Sequence, residues 1–127
     1  MGPFLWVCLG SAAGGGARYL MSAGVLKVAG TGFPYGTLAV NFIGSLLLAA
    51  LMVIGTETTA LPQTVRVALA TGLMGGFTTY STFSYETLRY LQDGAWAVAL
   101  ANVLITVCGC LFAAWLGWVG ARWLVGI

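Results

Sequence analysis

The near absence of charge constrains this chain more than any other feature. Only 6% of its 127 residues are charged and 60% are hydrophobic. Soluble domains carry roughly 25% charged residues, so this chain lacks the side chains to cover a water-facing surface. Its apolar residues fall into four long segments, at about 3–28, 35–55, 62–91 and 96–123. Each matches the ~20 residues needed to cross a hydrocarbon core. The expectation is an all-α membrane protein of four transmembrane helices, a single integral membrane domain over 1–127. No basic stretch precedes the first apolar run, so that run reads as a retained helix and not as a cleaved signal.

The polar inventory excludes most chemistry. There is no histidine, and the acids are Glu57, Glu86 and Asp93. Cys8, Cys108 and Cys110 show no zinc spacing, and Cys108 and Cys110 point to different helix faces. Without clustered carboxylates, or a nucleophile beside a base, an enzyme is not expected. A net charge of +2 is too small for nucleic-acid binding.

The segments are separated by Gly30-Thr-Gly-Phe-Pro34, by the polar stretch Thr56–Pro62 and by Gln92-Asp-Gly94. The third segment does not read as one clean helix. Adjacent Gly75 and Gly76, followed by Thr78 and Thr79, weaken it in the middle. Irregular backbone at membrane depth survives only where protein or a polar cavity satisfies it. If the segments alternate direction, Lys27 and Arg89 lie toward one side and Arg66 and Arg122 toward the other. Arginine and lysine bias sets orientation, and this near-balance predicts insertion in both orientations.

Three polar stripes run along these segments. Thr37, Asn41 and Ser45 recur every four residues and share a helix face, as do Asn102, Thr106 and Cys110. Ser81, Thr82 and Ser84 alternate with Tyr80 and Phe83. All are uncharged, offering amide and hydroxyl donors and the positive edges of aromatic rings. Such a lining suits a small, strongly hydrated anion that must exchange water for protein donors without being trapped. Isolated hydroxyls more often join helices to one another, and Asn41 is balanced between the two roles. The pairs Gly10/Gly14 and Gly72/Gly76 read as close helix packing. Arg18 either anchors a helix end or serves a water-filled cavity. Glu86 reads as a structural cap or ion pair, ahead of a proton-coupling role.

The segments Gly15-Gly-Ala-Arg-Tyr19, Gly36-Thr-Leu-Ala-Val-Asn-Phe-Ile-Gly44 and Gly72-Leu-Met-Gly-Gly-Phe-Thr-Thr-Tyr-Ser-Thr-Phe-Ser84, with Glu86 following, form a specific joint pattern. On them, and across essentially its whole length, the chain resembles the Fluc (CrcB-type) fluoride channels. The resemblance implies passive, fluoride-specific export that lowers cytoplasmic fluoride, in a multi-pass protein of the cell's inner membrane. It implies an antiparallel, dual-topology homodimer of four-helix subunits with a broken third helix and two pores at the interface. A structural sodium ion at the dimer centre would be held by the backbone carbonyls of Gly75 and Thr78. The pore would be lined by Asn41, Tyr80 and Phe83, with Ser81, Thr82, Ser84 and Thr106 as its hydroxyl track, and Arg18 would stand near a vestibule. The first pore aromatic of the family is usually phenylalanine and here is Tyr80. The competing reading is a small proton-coupled exporter of lipophilic cations. That function needs a carboxylate deep in a span, and the first two segments have none in their interiors.

Overall fold

A computed structural model describes residues 2–127, all of its regular structure helical. Helix α1 spans Gly2–Ala29 and α2 spans Tyr35–Glu57. Helix α3 covers 63–77, α4 covers Tyr80–Gln92 and α5 covers Trp96–Val125. Apolar character sustained over 23 residues gives α2 a length of about 34 Å at 1.5 Å per residue, against a hydrocarbon core of about 30 Å. By length and composition, α2 and α5 are the described helices able to cross a membrane. In α1 the apolar run is diluted by Gly14, Gly15, Gly16 and Arg18, and the third segment is divided between α3 and α4. Gly94, with φ of 75°, adopts the left-handed conformation that ends α4, and Ala95 N–H closes the turn on Tyr90 O at 2.8 Å.

Two packings hold the bundle, α1 on α3 and α2 on α5. The first is made by backbone. Gly10 and Gly14 of α1 interleave with Gly72 and Gly76 of α3, and a Cβ on any of them would strike the opposing main chain. A Cβ on Gly14 would overlap the Leu73 carbonyl oxygen; one on Gly72 would lie 2.9 Å from Val7 O. The expectation of close packing at both pairs is therefore met. Helix α3 also widens into a π segment over Ala68–Met74, so that Gly75 N–H reaches back to Ala70 O. In the second, α2 contributes buried Val40 and Val53, and α5 contributes buried Ala113 and Ala121. Gly117 lets α5 press on the Leu46 carbonyl.

The core is thus built of small residues, and the large ones point outward. Phe4, Leu5, Trp6 and Leu9 of α1 are exposed, as are Leu104, Leu111, Phe112 and Trp115 of α5. In water each square ångström of such surface would be unfavourable by roughly 25 cal/mol, so an apolar surrounding must cover it. That inverted arrangement is what a membrane protein requires.

Charges collect at the two ends. Arg122 pairs with Glu57 at 2.9 Å and Arg66 donates to Gly55 O at 2.8 Å, both around the C-terminus of α2, where helix polarity favours cations. At the other end Leu26, Gly30 and Tyr35 share a cleft with Glu86 and Tyr90, which places Lys27 and Arg89 near that end.

The α1–α3 interface makes a selective prediction. Gly14→Ala should destabilise the protein by about 1–3 kcal/mol through overpacking, read as a lower melting midpoint in detergent. Gly24→Ala, where a Cβ meets open space, should leave the midpoint in place.

Candidate ion-binding groove

The helix break is built from two extended residues. Thr78 has φ −87° and ψ 160°, and Thr79 has φ −150° and ψ 113°. Thr78 hangs from the end of α3, its N–H and hydroxyl both donating to Met74 O at 3.0 Å. The Thr79 peptide is held from α2. Its N–H donates to Asn41 Oδ1 at 2.8 Å, and Asn41 Nδ2 donates to Thr79 O at 3.0 Å. Thr79 then caps α4, its hydroxyl accepting from Thr82 N–H at 3.2 Å and donating to Thr82 Oγ1 at 2.9 Å.

The break leaves carbonyls without their helical donors, those of Gly75 and Thr78 among them. In a continuous helix Gly75 O would accept from Thr79 N–H and Thr78 O from Thr82 N–H. Here the first donor goes to Asn41 and the second to the Thr79 hydroxyl. Gly75 is exposed, and Gly44 admits the broken segment, since a Cβ there would collide with Thr78 Cγ2. One turn before Asn41 on the same face, the Thr37 hydroxyl donates to Glu86 Oε1 on α4. The stripe on α2 therefore joins α2 to the far side of the break, and Glu86 serves as a hydrogen-bond acceptor from Thr37.

Beside the break lies an open groove of about 440 Å³. Its polar lining is Asn41 and Ser45 from α2, Thr78 and Thr79 from the break, Tyr80 from α4, and Thr106 and Cys110 from α5. Phe83 stands among them, its ring centroid 5.8 Å from that of Tyr80 and the planes inclined at 59°. Phe83 is buried and Tyr80 is 79% exposed. No charged side chain lines this groove. Asn41 uses one Nδ2–H on Thr79 and keeps a second.

Of the residues expected at one site, Asn41, Tyr80, Phe83 and Thr106 are brought together. Ser81, Thr82 and Ser84 are exposed on α4 outside the groove lining, Thr82 being engaged in the cap. Arg18 is half-buried on α1, away from the groove, and has no ion-pair partner among the described residues. Asn102, expected as part of the α5 stripe, lies behind the groove instead of lining it, and with Thr87, which no stripe included, it holds Thr106 and Phe83 from behind. Asn102 Nδ2 donates to Thr87 Oγ1 at 2.9 Å, and Thr106 Oγ1 donates to Asn102 Oδ1 at 3.2 Å. The spacing of Asn102 and Thr106 was the available signal; the partner on α4 was not readable from it.

Asn41→Asp should undo the clamp on Thr79. A carboxylate still accepts from the N–H but faces the Thr79 carbonyl with oxygen instead of a donor. The expected loss is about 1–3 kcal/mol of stability, measured by thermal unfolding in detergent.

Comparison with known proteins identifies the family. The family model described as CrcB-like protein, Camphor Resistance (CrcB), matches residues 5–118. A protein of Anaeromyxobacter sp. (strain K), named fluoride-specific ion channel FluC, is 52% identical over 99% of this chain and 100% of its own length. Proteins of the same name from Sorangium cellulosum and Geobacter sulfurreducens are 50% and 46% identical, each over 98% of this chain and over 98% and 100% of their own lengths. With the match running from α1 to α5 and through the broken segment, this chain belongs to the CrcB-like family.

Proposed function

We propose that this protein is a fluoride-specific ion channel that lets fluoride leave the cytoplasm passively and so limits its toxicity. The observation that carries the reading is the match, over 99% of the chain, to relatives named as fluoride-specific channels. The groove supplies the chemistry. Fluoride is small and its hydration shell is tightly held, so a path must replace that water with donors at close range. Asn41 has a spare N–H, and Tyr80 and Phe83 offer ring edges beside it. A fixed cation in the groove would bind the ion too tightly to release it, and none is there. A larger anion such as chloride fits such a track poorly.

The protein works as an antiparallel homodimer with four transmembrane helices per copy, crossing the cell's inner membrane several times. Three features support this reading. Basic residues are nearly balanced between the ends, Lys27 and Arg89, with Arg18 added to their side, against Arg66 and Arg122. The groove is open along one side, where a second copy would complete it. The exposed Tyr80, Ser81 and Ser84 then face that copy and extend the hydroxyl track, with Arg18 nearer an entrance. The freed carbonyls of Gly75 and Thr78 fit a hard, monovalent cation, since carbonyls of unwound helices coordinate sodium. Two oxygens are too few to replace a hydration shell. A two-fold axis would double them, so that a sodium ion held there would sit at the dimer centre and supply positive potential without standing in either path.

Coupled cation export lacks its working group. Glu57 is paired with Arg122, Glu86 is held by Thr37, and neither reaches the groove.

Liposomes carrying the purified protein and loaded with fluoride should empty rapidly, while chloride-loaded liposomes retain their anion, as followed with ion-selective electrodes. Absence of fluoride release from folded protein would defeat the proposal. Phe83→Ile should slow release roughly tenfold or more, about 1.4 kcal/mol on the barrier.

A further inference from the structure

A hydrogen-bonded relay behind the groove determines what one of its walls can offer an ion. Thr87 Oγ1 donates to the Phe83 carbonyl at 2.8 Å, Asn102 Nδ2 to Thr87 Oγ1 at 2.9 Å, and Thr106 Oγ1 to Asn102 Oδ1 at 3.2 Å. Asn102 is 1% exposed and Thr106 7%, so water has little access to rearrange the relay. Its direction follows from counting hydrogens. A carbonyl only accepts, and a threonine hydroxyl has one hydrogen to give. With Thr87 committed to Phe83, the hydroxyl can only accept from its next neighbour. Asn102 must therefore turn its NH₂ toward Thr87 and its oxygen toward Thr106, and Thr106 must donate. The opposite amide orientation would send the Thr87 hydrogen to Asn102. The Thr87 and Phe83 oxygens would then face each other across 2.8 Å with no hydrogen between them.

We propose that Asn102 is a positioning residue that turns the Thr106 hydrogen away from the groove, so that Thr106 shapes the fluoride path with lone pairs and does not bind the ion. This rests on the reading of the groove as the fluoride path. The stronger donors then stand on the α2 and α4 side, at Asn41, Ser45 and the aromatic edges, while the α5 wall offers the Thr106 lone pairs and the weak Cys110 thiol. An anion held from one side exchanges faster than one gripped from two.

The test is a cycle of isosteric variants in fluoride-loaded liposomes, reading the fluoride concentration that half-saturates flux. Thr106→Val removes a repelling lone pair and should lower that concentration by about twofold; were Thr106 a donor, its loss should raise it by about tenfold. Thr87→Val removes the acceptor that orients Asn102. The amide then turns its NH₂ to Thr106, whose hydrogen swings into the groove, and half-saturation should fall by about tenfold. Adding Thr106→Val to Thr87→Val should shrink that fall to the roughly twofold one of Thr106→Val alone, a dependence that a merely structural role for Thr87 would not show. A rise in Thr106→Val, an unchanged Thr87→Val, or a Thr87→Val effect that persists in full in the double variant would each overturn the proposal. If Thr87→Val does not assemble, the direction of the Thr106→Val shift decides alone. If the unsubstituted protein passes no fluoride, the channel reading falls, and the relay is judged by amide exchange in detergent. The Asn102 side-chain NH₂ should then be protected in the parent and in either single variant, and unprotected once Thr87→Val and Thr106→Val are combined; an unprotected NH₂ in the parent refutes it.

Discussion

One side chain substitutes, for a single peptide, for the hydrogen bonds that a helix would otherwise make. Asn41 accepts from the Thr79 N–H and donates to the Thr79 carbonyl, so the chain leaves helical geometry at Thr78 with both backbone polar groups of Thr79 paired. An unpaired backbone group away from water is unfavourable by several kcal/mol, so the break could not persist on glycine flexibility alone. The groove depends on this clamp. It places the break against α2, starts α4 at Tyr80 and thereby sets where Phe83 stands. The same bonds leave the Gly75 and Thr78 carbonyls unclaimed.

The rest of the bundle accommodates that clamp by removing bulk. In a membrane the hydrophobic effect does little to press helices together, and close approach through small residues takes over. Gly10, Gly14, Gly72 and Gly76 bring α1 and α3 into main-chain contact, while Gly44 makes room for Thr78 and Gly117 for the Leu46 carbonyl. The large side chains that a soluble protein would bury are left on the outside.

Charge is handled by exclusion. Glu57 and Arg122 neutralise each other at one end, Arg66 caps the carbonyl end of α2, and Glu86 accepts from Thr37 near the other end. What remains along the groove is a set of neutral dipoles. Neutral dipoles can stand in for water around a strongly hydrated anion at a depth where a full charge would hold it in place.

Much of this was legible in the residues themselves. Scarce charge and apolar segments of helix-spanning length specify helices in an apolar setting, because a helix pairs its backbone within the segment and a membrane strand needs only about 10 residues. The glycine pairs announced close packing, and Gly75-Gly76 followed by Thr78-Thr79 announced a weak point in the third segment. Spacing placed Thr37 with Asn41, and Asn102 with Thr106, on shared faces, since helical periodicity is a local property. Partners are not local. That Asn41 reaches Thr79, that Thr37 reaches Glu86 and that Asn102 reaches Thr87 follow from how helices distant in sequence are set against one another. The widening of α3 over Ala68–Met74 left no mark in the sequence either, as it depends on register against α1. Which hydroxyls line the groove and which are spent behind it was likewise decided in three dimensions. A donor's direction is set by the acceptor it meets, and only the packed bundle chooses that acceptor.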